Sequence, residues 1–121
     1  MPQTKVIFFA DGDGNSPFLI WLDRQSPKVQ DKCIVLIELL EVSGHDLHRP
    51  HADYLRDDIY ELRTKRQSIN YRILYFFFEK EAVISHGFIK QESKVPKKEI
   101  NIALNNKENF LANPQKHTYK E

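Results

Sequence analysis

Between Thr4 and Ala10 the chain is dense in β-branched and aromatic residues, which predicts a first strand ended by the turn-forming run Asp11-Gly-Asp-Gly-Asn15. Two serine–proline pairs, Ser16-Pro17 and Ser26-Pro27, then repeat one signal. A hydroxyl caps the helix start and proline occupies the first helical position, where its missing N–H costs nothing. Phe18, Trp21 and Leu22 share one face of the first helix, and Val29, Cys33, Leu36, Ile37 and Leu40 recur at helical spacing in the second. Gly44 is a good terminator for it. Residues 45–57 are polar and read as irregular. From Ile59 to Thr64 the period becomes two, with Tyr60 and Leu62 on one face and Glu61 and Arg63 on the other. Tyr71–Phe78 is apolar on both faces except at Arg72, which predicts a central strand. Ala82–Lys90 reads as a further strand. Pro96 then opens a last helix, with Ile100, Ala103, Leu104 and Leu111 expected on its buried stripe. The predicted order is β-α-α-β-β-β-α, an α+β domain with helices packed on a small antiparallel sheet.

Length and composition narrow this picture without redirecting it. A chain of 121 residues suits one domain with a real core. No apolar run approaches the roughly 20 residues needed to span a bilayer. The opening segment lacks the basic flank of a signal peptide, and a single cysteine, Cys33, fits a reducing cytoplasm. Net charge is only +1, which argues against a globally basic nucleic-acid binder. Positive residues are nonetheless grouped: Arg63, Lys65, Arg66 and Arg72, then Lys90, Lys94, Lys97 and Lys98. Such a face suits a local phosphate site, or a solvated strand edge whose lysines discourage pairing.

Arg72 is the most informative residue, because an unpaired guanidinium in a buried strand is costly. Either Glu61 on the neighbouring strand neutralises it, or the strand lines a concavity where a ligand phosphate does so. Arginine suits the second task because its planar fork grips two oxygens at once. Arg63, on the Glu61 face, could share that surface, and Lys90 could complete a basic trio.

Other chemistry finds little footing. The five histidines do not combine with Cys33 at a zinc spacing. The acidic loop at Asp11 lacks the terminal bidentate glutamate of a calcium loop, since Leu22 stands there. Cys33 lies on the apolar helix face as a core residue, and no glycine loop of the nucleotide-binding kind is present.

Four segments occur in order: Leu55-Arg-Asp-Asp-Ile-Tyr-Glu-Leu-Arg63, Tyr71-Arg-Ile-Leu-Tyr75, His86-Gly-Phe-Ile-Lys90 and Lys94-Val-Pro-Lys-Lys-Glu-Ile100. The series resembles the HigB-like, phage-derived branch of the RelE/ParE toxin superfamily, over the whole chain in element order and over residues 50–104 in motif detail. The resemblance implies the toxin of a type II toxin–antitoxin pair, a cytoplasmic endoribonuclease that cleaves messenger RNA, usually on the ribosome, without a metal or other cofactor. It also implies a helix-turn-helix antitoxin as partner. Arg72 matches the arginine that contacts the scissile phosphate, and Arg63 matches the basic position ending the preceding strand. Lys90 lies where the family places another basic residue. His86 matches the family histidine, or simply packs. Glu61 and His51 are the candidates for general base, each with a bland alternative as ion-pair partner or loop residue. Lys65, Arg66 and Lys94 are the candidates for further RNA contacts. One departure stands out: family members often carry two adjacent basic residues after the phenylalanine strand, whereas Lys90 is followed by Gln91. A second reading therefore accompanies the first, a toxin-like fold acting by protein binding, on an antitoxin or a gyrase-like target.

Overall fold

The computed structural model describes residues 3–121. Strand β1 (Lys5–Phe8) leads into helices α1 (Pro17–Asp23) and α2 (Pro27–Ser43), followed by a 3₁₀ turn at Gly44–Asp46. Strands β2 (Ala52–Arg56), β3 (Ile59–Arg66), β4 (Ile69–Phe78) and β5 (Glu81–Lys90) come next, and helix α3 (Lys97–Ala112) succeeds them. The serine caps act as their sequence predicts, Ser16 accepting from the Leu19 amide and Ser26 from the Val29 amide.

The five strands form one sheet in the order β1-β5-β4-β3-β2. Pairing is antiparallel throughout except that β1 lies parallel to β5. The sheet is therefore mixed rather than wholly antiparallel. The chain leaves β1 through two helices, which carry it across the sheet to the opposite edge, so β1 can close the far side in the parallel sense. The stretch expected to be irregular contains β2. As an edge strand with a bulge between Tyr54 and Arg56, it buries only Ala52 fully, so its hydrophobic alternation is too faint to read.

Helices cover both faces of the sheet. One core joins Phe18, Val29, Cys33, Leu36 and Leu40 of α1 and α2 to Leu62, Tyr71, Ile73, Tyr75 and Ile84. The other joins Ala103 and Phe110 of α3 to Ile59, Leu74, Phe76, Val83 and Phe88. Because β4 sits between these layers, it is buried on both faces along most of its length. On α3 the buried stripe runs through Ile100, Ala103 and Phe110, whereas Leu111 is exposed. Phe110 fills the last core position, and one residue further on the side chain turns about 100° away.

Two local features shape β5. Leu74 pairs with His86 but Tyr75 with Ile84, so Ser85 is the unpaired residue of a β-bulge. Beyond it, a Cβ on Gly87 would overlap the indole of Trp21, so only glycine lets α1 approach the sheet here. Gly87→Ala is expected to destabilise the fold by about 1–3 kcal/mol through overpacking, read as a lowered denaturant midpoint with an unchanged m-value.

Candidate functional site

Strand alternation and register build the site. On the α3 side of the sheet, Glu61, Arg63 and Lys65 point the same way from β3. Arg63 pairs directly with Arg72, which pairs with Phe88. One row further, Lys65 lies opposite Asn70 and Asn70 opposite Lys90. In the other direction Asp53, Glu61, Leu74 and His86 form a row across four strands. The Arg63 amide donates to the His51 carbonyl at 2.8 Å, which continues the β2–β3 pairing and sets His51 beside Arg63.

Two like charges directly opposite each other in a sheet repel, and here one carboxylate reconciles them. Glu61 Oε1 lies 3.0 Å from Arg72 Nε, and Glu61 Oε2 lies 3.5 Å from Arg63 Nε. Glu61 and Arg72 are each only 4% exposed. Despite the short separation, the Arg72 Nε–H is not aimed at the oxygen. Arg72 Nε, Arg63 Nε and Glu61 Oε1 are all buried without a well-aligned hydrogen bond. The pairing is thus Coulombic contact more than directed bonding. Arg72 Nη1 donates to the Tyr71 carbonyl at 3.2 Å. Burial pushes the Glu61 carboxyl above its ordinary range, with Arg72 and Arg63 pulling it back. Burial likewise lowers the Arg72 guanidinium, with Glu61 opposing. Two guanidiniums against one carboxylate leave a formal excess of one positive charge. It borders an open hollow of about 350 Å³ lined by Pro50, His51, Arg63, Thr64, Lys65, Asn70 and Arg72.

Of the residues singled out from sequence, Arg63, Arg72, Lys65 and His51 therefore meet at one hollow, with Glu61 paired to both arginines. Lys90 borders a neighbouring hollow with Ser68, Ile69, Asn70, Ile89 and Gln91, and its ammonium is engaged by the carbonyls of Glu92 and Ser93 at 2.8 and 3.4 Å. Arg66 alternates to the opposite face of β3, and Lys94 is exposed in the loop after β5. His86 is buried and bonded to Ser85 and to Glu99 of α3. Cys33 is buried and its thiol is pushed up to about 11, as befits a core residue. The acidic loop is a turn, Asp11 Oδ1 accepting from the amides of Asp13 and Asn15.

Some neighbours of the site escaped sequence reasoning. Asn70 forms a wall shared by both hollows, and Arg49 pairs with Asp53 at 2.9 Å beside Glu61. Asn70 precedes the Tyr71-Arg72 pair and could have been found by alternation from Arg72. Arg49 could not, because its place depends on the fold of the loop before β2.

Residues 20–108 match the family described as phage derived protein Gp49-like (DUF891), a span that holds every residue of the hollow. The chain belongs to the Gp49-like family. Two curated relatives of this Gp49-like protein are each named probable endoribonuclease HigB1, from Mycobacterium tuberculosis strains CDC 1551 / Oshkosh and ATCC 25618 / H37Rv. Each is 31% identical over 101 residues, covering 84% of this chain and 79% of the relative. The HigB-like, phage-derived resemblance read from the four motifs is thereby borne out. No helix among the described residues is long and apolar enough to cross a membrane.

Removing Glu61 from the Gp49-like site leaves two adjacent guanidiniums without their counter-charge. Glu61→Ala should cost about 3–5 kcal/mol of stability, measured by urea unfolding at neutral pH. The pH dependence has a definite sign. A carboxyl held above its unfolded value keeps its proton longer when folded, so the stability that this shift contributes is complete below about 4.3, the unfolded reference, and is lost as pH rises through the folded value. The ionised carboxylate still serves as counter-charge to the arginines. Glu61→Gln should flatten that part of the stability–pH curve.

Proposed function

We propose that this protein is the toxin of a type II toxin–antitoxin pair and cleaves messenger RNA by metal-independent transesterification. The observation that carries this reading is the Arg63–Arg72 pair at the open hollow, two guanidiniums whose buried Nε–H groups lack aligned acceptors. An excess of positive charge beside an open hollow is prepared for an anion whose charge grows during reaction. In the step envisaged, the ribose 2′-oxygen attacks the adjacent phosphorus in line, and the bond to the 5′-oxygen breaks. A 2′,3′-cyclic phosphate and a free 5′-hydroxyl result. Arg72 and Arg63 stabilise the phosphorane. A base takes the 2′-proton, and an acid supplies one to the leaving oxygen. His51 at the rim suits proton transfer, because an imidazole can both accept and donate a proton. Glu61, with one oxygen against each guanidinium, is better placed to hold the arginines than to accept the 2′-proton. Lys90 would join the chemistry by leaving the carbonyls of Glu92 and Ser93 when RNA arrives, and Lys65 would hold the strand nearby. Arg66 and Lys94 would reach RNA only where it extends past the hollow.

The resemblance to probable endoribonucleases named HigB1 supports the same reading. A helix-turn-helix antitoxin is the partner it suggests, and α2 offers such a protein the exposed residues Ile34, Val35 and Val42. A ribosome-bound message in the cytoplasm is the substrate it suggests. One observation favours the second reading, action by protein binding: Glu61 already stands 3.0 Å from Arg72 Nε as a counter-charge.

Arg72→Lys keeps a cation beside Glu61 while removing the fork. Cleavage of translated transcripts should fall by roughly 10²–10³-fold, with an unchanged circular dichroism spectrum. Arg72→Ala should abolish both cleavage and growth arrest. Full toxicity of either variant would refute the site, and wild-type growth arrest with intact RNA would favour the protein-binding reading.

A further inference from the structure

The sequence motif around His86 has a second occupation, which lies at the interface between the sheet and α3. His86 Nε2 lies 3.0 Å from Glu99 Oε1, and His86 Nδ1 lies 2.8 Å from Ser85 Oγ. Asn106 Nδ2, about two turns beyond Glu99 on α3, donates to that same Ser85 Oγ at 3.0 Å. Ser85 is fully buried and His86 7% exposed. The β-bulge makes the chain of bonds possible: it turns Ser85 and His86, consecutive in β5, toward the same helix.

Donor and acceptor roles are set by the ends of that chain. A carboxylate only accepts, so Nε2 carries the ring proton and donates to Glu99. A neutral ring then accepts at Nδ1, so the Ser85 hydroxyl donates to it and receives the Asn106 amide. Every member is satisfied while His86 is neutral. A second ring proton would place a donor at Nδ1. The Ser85 hydroxyl would have to turn away and the Asn106 amide turn over to receive it, inside a closed interface. Two polar contacts of α3 are involved, Glu99 in its first turn and Asn106 further along.

The consequence reaches the candidate site through Phe88. The rings of His86 and Phe88 stack at 6.0 Å and 29°, and Phe88 lies directly across from Arg72. We propose that His86 is a positioning residue for Arg72, holding α3 and Phe88 in place when neutral and releasing them when protonated. Its effect on RNA cleavage rests on the proposed function; the latch itself does not. The charged groups near His86 are few. Glu99 faces it from α3, and Arg72 and Glu61 share its side of the sheet on β4 and β3. The charged residue of β1, Lys5, lies opposite Glu81 at the far end of β5, and α1 packs at Gly87 through Trp21. Burial lowers the tendency of His86 to take a proton, and Glu99 opposes this. The neutral latch is therefore intact above the ordinary histidine range and is lost as pH falls through the folded value.

The test tracks three signals in the full-length protein as pH is lowered from 8. They are the His86 ring resonances, the Arg72 Nε–H resonance and the emission of Trp21, the only tryptophan. All three should change in one transition, with α3 amides exchanging about tenfold faster below it, as loss of the Ser85–His86 hydrogen bond in a closed interface implies. Titration of His86 with the Arg72 signal and α3 exchange unmoved would overturn the proposal. Glu99→Gln keeps an acceptor for Nε2 but removes the charge that favours protonation, so the transition should move to lower pH. Glu99→Ala should open α3 already at neutral pH and lower kcat for RNA cleavage by up to about 10²-fold with KM unchanged, a loss that Glu99→Gln restores. Equal losses in both variants would overturn it. Should the wild type fail to cleave RNA, the proposed function falls, while the resonance and exchange signals still decide the latch.

Discussion

One carboxylate between two guanidiniums sets the terms for the rest of this molecule. Sandwiched between α1 and α2 on one side and α3 on the other, β4 leaves Arg72 only 4% exposed, at the edge of the hollow. Its charge must be met within the sheet, and the β3–β4 register brings Glu61 to 3.0 Å of it. The same register sets Arg63 opposite Arg72, so a single anion serves two cations. A slip of one residue would turn Glu61 and Arg63 into the α1–α2 core, stranding two charges there and leaving Arg72 without its carboxylate. The ion cluster therefore helps to fix strand register as well as to charge the hollow.

That cluster is not an economical way to stabilise a fold. Its central contacts are close but poorly directed, and burial opposes the charged form of both Glu61 and Arg72. An apolar row of similar volume would pack as well at lower electrostatic cost. Buried strain of this kind gathers where a ligand completes the bonding. The hollow beside Arg63 and Arg72 supplies the space in which such a ligand would sit.

Much of this arrangement could be read from residues alone, because it depends on period. The alternation of Ile59–Thr64 separated Glu61 and Arg63 from Tyr60 and Leu62, and the unbroken apolar run around Arg72 marked a strand covered on both faces. Serine–proline caps fixed both helix starts. What stayed hidden depends on contacts between distant segments. Strand β2 shows almost no periodicity, because an edge strand needs only one buried residue to hold its place. The parallel pairing of β1 is set by where the chain returns, which no local window reports. The bulge at Ser85 was illegible for the same reason, so His86 looked like a residue that packs when it also bonds to α3. Lys90 shows the opposite case: its chain position suggested the phosphate site, while its ammonium is spent on the turn after β5.

Charge balance adds a constraint on how a nuclease of this design would work. With a net charge of +1 and a hollow that can hold one or two phosphates, few counterions would be released when RNA binds. Electrostatic affinity for free RNA, which grows with each phosphate neutralised, would accordingly be weak at physiological salt. Two arginines can stabilise a phosphorane, yet they cannot by themselves bring a long polyanion to the hollow or hold it there in line for attack. A second surface has to deliver and align the message, and under the proposed function the ribosome would be that surface. Under that proposal, the locally positive but nearly neutral chain would be better suited to RNA already held in place than to RNA in solution.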